Sequence, residues 1–169
     1  MLSYRAKGKS AMQKPKIYLE TTLFNHYFDK DRKTHADTVR LFEDIAAGKY
    51  EVFTSPFVTD ELEKAKKEKR DKMMNLITKH GVTVLPPTDD AVKLANLYVA
   101  EGIIPKKYLT DAFHIAIATV HDLAMIASLN FKHIVKQKTK LATGKINALH
   151  GYRPVAIVEP KEIVSHEKN

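Results

Sequence analysis

The sequence predicts an α/β fold, a five-stranded parallel sheet flanked by helices. Two observations carry that expectation. Short apolar runs at Lys16–Leu19, Glu51–Thr54, Val82–Leu85, Ala124–Leu129 and Val155–Val158 alternate with segments of helical periodicity, the pattern of parallel strands joined by crossover helices. One of those helices, Leu109–His121, is apolar nearly all round, which places it in a core rather than on a surface.

Each element has a local reason. After the first strand, Thr21–Phe28 reads as a turn and helix, with Thr21 and Thr22 able to cap it. A charged loop leads to a helix carrying Val39, Leu41, Phe42, Ile45 and Ala46, which Gly48 stops. Ser55-Pro56 follows the second strand as a helix start, with proline at the first helical position. Glu61–Lys79 carries Leu62, Ala65, Met73, Leu76 and Ile77 on one stripe and almost continuous charge on the other, an amphipathic helix with a solvated face. Pro86-Pro87 end the third strand. Thr88 then caps a helix whose first turn holds Asp89 and Asp90, favourable to its dipole, and which Gly102 ends. Basic helical segments separate the fourth and fifth strands, and EPKEIV closes the pattern.

At 169 residues and 44% hydrophobic, the chain is sized for one domain with a real core. The expected organisation is a basic, disordered extension over 1–15, the domain over 16–164, and a short disordered tail over 165–169. The 28 Lys+Arg against 20 Asp+Glu give a formal charge of +8, which favours anionic partners, nucleic acid first among them. The absence of cysteine excludes a disulfide scaffold, a thiolate nucleophile and a cysteine zinc site. There is no apolar run long enough to span a membrane and no apolar centre of a secretory signal, so a cytoplasmic protein is expected.

Four polar landmarks fall where this pattern brings strand ends and helix starts to one edge: Glu20, Glu61, Asp111 and Asn130. Open parallel sheets bind ligands at that edge. Three carboxylates and an amide there form an oxygen-donor set suited to Mg²⁺ or Mn²⁺, and so to metal-dependent phosphodiester hydrolysis. Glu20 ends the first strand beside two hydroxyls. Asp111 opens a helix otherwise fit only for burial, where a carboxylate needs a cation or several donors. An N-cap role, shared with Thr110, is its structural alternative. His114, one turn on, reads as a satisfied core histidine. Asn130 follows Ser128 at the fourth strand's end, and its amide oxygen can complete a cation shell or hold a bound water; its structural alternative is a turn or helix-capping asparagine, and that of Glu61 is an ion pair on its charged helix. Glutamate at the first strand's end argues against a phosphatase or receiver domain, which place an aspartate there. No glycine-rich phosphate loop follows any strand.

The strings IYLETT, SPFVTDELEKA, GIIPKKYLTDAFHIAIA and SLNFKHI resemble PIN-domain proteins of the VapC type, over roughly residues 16–164. The resemblance implies a three-layer sandwich around a five-stranded parallel sheet and a metal-dependent ribonuclease. By that likeness Glu20, Glu61 and Asp111 hold the metal, Asn130 stands at the usual fourth-acid position, and all four are catalytic residues. Thr21, Thr22, Ser128, Lys106, Lys107, Lys132 and His133 are expected to meet the RNA, with Lys136, Lys138 and Lys140 extending the basic stripe. An antitoxin protein and a second copy of the chain are the expected partners. The sequence departs from the family pattern in having glutamate first and asparagine fourth. A non-catalytic RNA- or protein-binding module with a degenerate metal site is the alternative reading.

Overall fold

The computed structural model describes residues 13–164. The remainder of the expected extension, residues 1–12, and the tail at 165–169 lie outside the described residues. Strands β1 (Lys16–Leu19), β2 (Glu51–Thr54), β3 (Thr83–Val84), β4 (Met125–Ala127) and β5 (Ala156–Val158) pair in parallel in the order β3-β2-β1-β4-β5. The central strand is β1, whose Ile17, Tyr18 and Leu19 are fully buried, as a strand covered on both faces must be. The chain leaves β1 towards β2 and β3, then crosses back to β4 on the other side. The sheet therefore reverses its winding between β1 and β4, the crevice where such folds place their sites.

Helices α1 (Thr21–Tyr27), α2 (His35–Ala46), α3 (Pro56–Glu63), α4 (Lys67–Lys79), α5 (Asp89–Ala100), α6 (Leu109–Val120), α7 (Gln137–Leu149) and α8 (Pro160–Val164) flank the sheet. A 3₁₀ turn at Lys106–Tyr108 feeds α6. The apolar pattern places α6 as expected: every residue from Ala112 to Thr119 is buried. Gly48 ends α2 with φ of 82°, a conformation that favours glycine. Tyr98 of α5 donates from its buried phenol to Asn147 Oδ1 of α7 at 2.5 Å.

The structure corrects three local expectations. The predicted helix Glu61–Lys79 is two helices, α3 and α4, broken at Lys64–Lys66, with Lys66 extended. Leu62 and Met73 are both buried, and one straight helix joining them would place Lys66 and Lys69 on the same inward stripe. The break leaves both lysines exposed. Glu61 consequently stands near the end of α3 rather than in a first turn. Thr21 and Thr22 are not the cap of α1. Glu20 is, its carboxylate accepting from Thr22 N. Strand β4 ends at Ala127, so Asn130 does not close a strand but opens a turn, its carbonyl accepting from Ile134 N and Val135 N at 3.1 and 2.8 Å.

Thr88 does cap α5, its hydroxyl accepting from Ala91 N at 3.2 Å. Thr88→Ala is expected to cost about 1 kcal/mol, read as a lower urea midpoint at unchanged slope. Thr88→Ser keeps the acceptor and should unfold as the wild type does.

Candidate active site

Glu20 leaves the end of β1 at the switch point, with its backbone N–H donating to Ala127 O of β4 at 3.1 Å. Its residue is 3% exposed, so the carboxylate needs donors or a cation. Thr22 N at 3.1 Å, Thr22 Oγ1 at 2.5 Å and Ser128 Oγ at 2.8 Å all donate to Oε1. Glutamate has the reach for this: an extended backbone at the cap position lets the longer side chain fold back over the first turn of α1. Thr22 Oγ1 also accepts from Leu129 N at 2.8 Å, and Ser128 Oγ from Asn130 N at 3.0 Å. The loop after β4 is thus stitched to the carboxylate after β1. The hydroxyls of Thr22 and Ser128, expected at the substrate, are bonded within this network, and Thr21 is buried beside it.

Asp111 enters from α6, inside the first turn. Neither it nor Thr110 caps the helix: the cap position is Tyr108, with no side-chain cap bond. Burial pushes the Asp111 carboxyl up. His133 and a side-chain hydrogen bond from Asn130 offset this, and the charge of Glu61 adds to it. Burial likewise raises Glu20, against the hydrogen bonds from Thr22 and Ser128, and the charge of Asp111 adds to it. The two acids therefore sit within electrostatic reach in a partly dry setting, which disfavours ionising both.

Asn130 stands between the loop after β4 and Asp111. Its Oδ1 accepts from His133 N at 3.0 Å, and its amide favours the ionised form of Asp111 nearby. An ionised aspartate has acceptors only. His133 packs its ring on Tyr108 with centroids 4.0 Å apart, and Lys107 Nζ lies 5.2 Å over that tyrosine. Lys106, Lys107 and Lys132 are exposed.

Glu61, the third expected ligand, lies within electrostatic reach of Asp111 but is turned to solvent. Its side chain is 52% exposed and faces Lys64 Nζ at 3.5 Å. Among the described residues, no three His, Cys, Asp or Glu side chains form a group that could hold a metal. Glu20 and Asp111 fit a hard divalent cation by donor type and charge. Glu61, turned as it is, does not complete the set.

One polar residue near the acids, Tyr18, escapes a reading by sequence alone. Tyr18, fully buried, places its hydroxyl 2.7 Å from Ser55 Oγ and 2.6 Å from His114 Nδ1. Tyr18 sits in an apolar run and reads as core. Its place two residues before Glu20, hence on the same side of an extended segment, is the signal that was available. His114 is the satisfied core histidine expected, and burial holds its pKa down to about 3.

A parallel α/β domain with acids gathered at its switch point is thereby defined. The PIN domain family model matches residues 17–136, and the chain belongs to that family. Among solved structures, the sarcin–ricin-loop-cleaving toxin VapC20 of Mycobacterium tuberculosis is similar at 15% identity and a TM-score of 0.52, over 83% of this chain and 98% of that one. VapBC2 from Rickettsia felis, solved bound to a DNA fragment of its promoter, is similar at 11% identity and 0.51, over 85% and 98%. At such identities the likeness is one of fold. No curated protein sequence matches the chain.

The raised carboxyls have a signed consequence. A carboxyl that binds its proton more tightly folded than unfolded stabilises the fold below the unfolded pKa, and that contribution is lost as pH rises through the folded value. Glu20→Gln, which keeps Oε1 as acceptor, is expected to melt above wild type at neutral pH in chelator. The difference should shrink as pH falls towards the ordinary glutamate value of 4.5. Thermal melts of both proteins across that range check this, and a variant less stable than wild type at neutral pH would contradict it.

Proposed function

We propose that this PIN-domain protein is a Mg²⁺- or Mn²⁺-dependent ribonuclease that hydrolyses internal phosphodiester bonds of RNA. The single observation that carries the reading is the pair Glu20 and Asp111. Two acids from distant parts of the chain lie within electrostatic reach of each other in a half-dry setting, and burial is the largest influence on each. Acids so placed attract a cation. When bound, Mg²⁺ or Mn²⁺ supplies hydroxide near neutral pH and offsets charge growing on the phosphate.

The residues of the chain divide the remaining work. Glu20 and Asp111 would hold the cation, with Glu61 as a third ligand released from its exposed pair with Lys64, which contributes at most about 1 kcal/mol. Thr22 and Ser128 fix Oε1 of Glu20, and Thr21 packs beside them. Asn130 holds Asp111 in place. Lys106, Lys107 and Lys132 hold the RNA backbone beside His133, and Lys136, Lys138 and Lys140 extend the track. Such contacts bind without regard to sequence and weaken as salt rises. Reaction by activated water requires no covalent intermediate, in keeping with the absence of a cysteine nucleophile.

Because VapC20 is a toxin that cleaves the sarcin–ricin loop, we extend the proposal to a cytoplasmic toxin. It would act as a homodimer and be restrained by an antitoxin protein. One observation favours a second reading, a non-catalytic RNA- or protein-binding module: Glu61 stands out of the acid pair, on Lys64.

RNA cleavage in Mg²⁺ and in Mn²⁺, wild type beside Asp111→Asn, separates the two. The proposal expects cleavage by wild type and a loss of about a hundredfold or more in the variant. Equal cleavage by both would place the site elsewhere, and RNA binding without cleavage by either would favour the module.

A further inference from the structure

We propose that Tyr18 is a positioning residue for the acidic pair, the centre of a buried tie that sets the spacing of β1, α3 and α6 at the site. The proposal rests on the reading of Glu20 and Asp111 as a cation site and assigns that site a support. Glu20 continues β1 in extended conformation, so Tyr18 and Glu20, two residues apart, point to the same side of the sheet. Asp111 and His114, three apart on α6, share a helix face. The Tyr18–His114 hydrogen bond of 2.6 Å is therefore a neutral rung joining the same two elements, two residues before Glu20 on one and one turn after Asp111 on the other.

The third arm reaches the remaining acid's helix. Ser55 occupies the cap position of α3, where a serine hydroxyl ordinarily bonds a helix N–H, yet it makes no such bond. Its hydroxyl turns inward to the Tyr18 phenol at 2.7 Å. One phenol thus joins the strand of Glu20, the helix of Asp111 and the start of the helix that carries Glu61. Either histidine tautomer satisfies the trio. The phenol donates to Nδ1 and accepts from Ser55, or accepts from Nδ1–H and donates to Ser55. Tyr18, Ser55 and His114 are each no more than 1% exposed, so water cannot replace a missing partner cheaply. Burial also keeps the imidazole neutral, so the rung adds no charge near the acids. Removing the phenol oxygen frees all three elements to shift relative to one another, and the acids move with them.

Tyr18→Phe is the test, because it deletes one oxygen and keeps the ring. Tyr98→Phe is its control, since it removes an equally buried phenol that bonds Asn147. The Tyr98 network includes Thr119, eight residues along α6 from Asp111, about 12 Å at helical rise. Three quantities are read on the intact protein: the melting temperature, the affinity for Mn²⁺ alone, and amide exchange at Thr22 and Leu129. Both variants should melt lower. Only Tyr18→Phe should bind Mn²⁺ more weakly, by roughly tenfold, as when a residue supporting a metal ligand is lost. It alone should also lose protection at Thr22 and Leu129, the amides that close the Glu20 pocket.

In cleavage, kcat should fall at unchanged KM. Ser55→Ala should follow Tyr18→Phe in direction and gives the same readings should the phenylalanine variant fail to fold. If Tyr18→Phe matches Tyr98→Phe in melting and keeps wild-type Mn²⁺ affinity and exchange, Tyr18 is only a core residue and the proposal is overturned. Wild-type protein that binds no Mn²⁺ would sink the metal reading instead, and exchange at Thr22 and Leu129 would then decide the positioning role by itself.

Discussion

A carboxylate 3% exposed at the end of the central strand is the constraint around which this edge of the molecule is organised. Left alone, Glu20 would be among the costliest groups to bury. The chain answers with donors drawn from both sides of the switch point, Thr22 on the helix after β1 and Ser128 on the loop after β4. Those donors are themselves bonded, through Leu129 N and Asn130 N, so the carboxylate, the loop and the helix start form one unit. A second acid facing this unit from α6 raises the cost again, since both carboxyls are already pushed up by burial. Structure that concentrates like charge in this way works against its own stability, which is the usual mark of a site rather than a scaffold.

Next to this charged layer lies an uncharged one. Tyr18, His114 and Ser55 satisfy one another without titrating near neutral pH, so this frame is indifferent to the protonation of the acids. Asn130 gains a rationale from the same logic. Its amide oxygen accepts from a backbone N–H, and its NH₂ supplies a donor near Asp111 that favours the ionised carboxyl. An asparagine at this place adds no negative charge beside Asp111.

The parallel sheet, the buried α6 and the caps at Gly48 and Thr88 were legible in the sequence because each is a local matter of periodicity or capping. Glu20, Asp111 and Asn130 could be placed together for a topological reason, since strand ends and helix starts share one edge. Glu61 could not be placed as well. The break at Lys64–Lys66 carries no proline or glycine, and it follows from which lysines the tertiary packing leaves outside. Tyr18 was hidden by chemistry: a tyrosine inside an apolar run looks like any core aromatic until its hydroxyl is seen to have partners. The roles of Ser128 and Thr22 were hidden by distance, as their bonds join segments more than 100 residues apart.

The central claim is that Glu20 and Asp111 form the fixed half of a cation site which Glu61 completes. Diffraction from crystals soaked in Mn²⁺, collected at the manganese absorption edge, tests it most directly. The account predicts an anomalous peak bonded to oxygens of Glu20 and Asp111, with Glu61 turned from Lys64 towards it. A peak elsewhere on the molecule, or none at this crevice at saturating Mn²⁺, would contradict it.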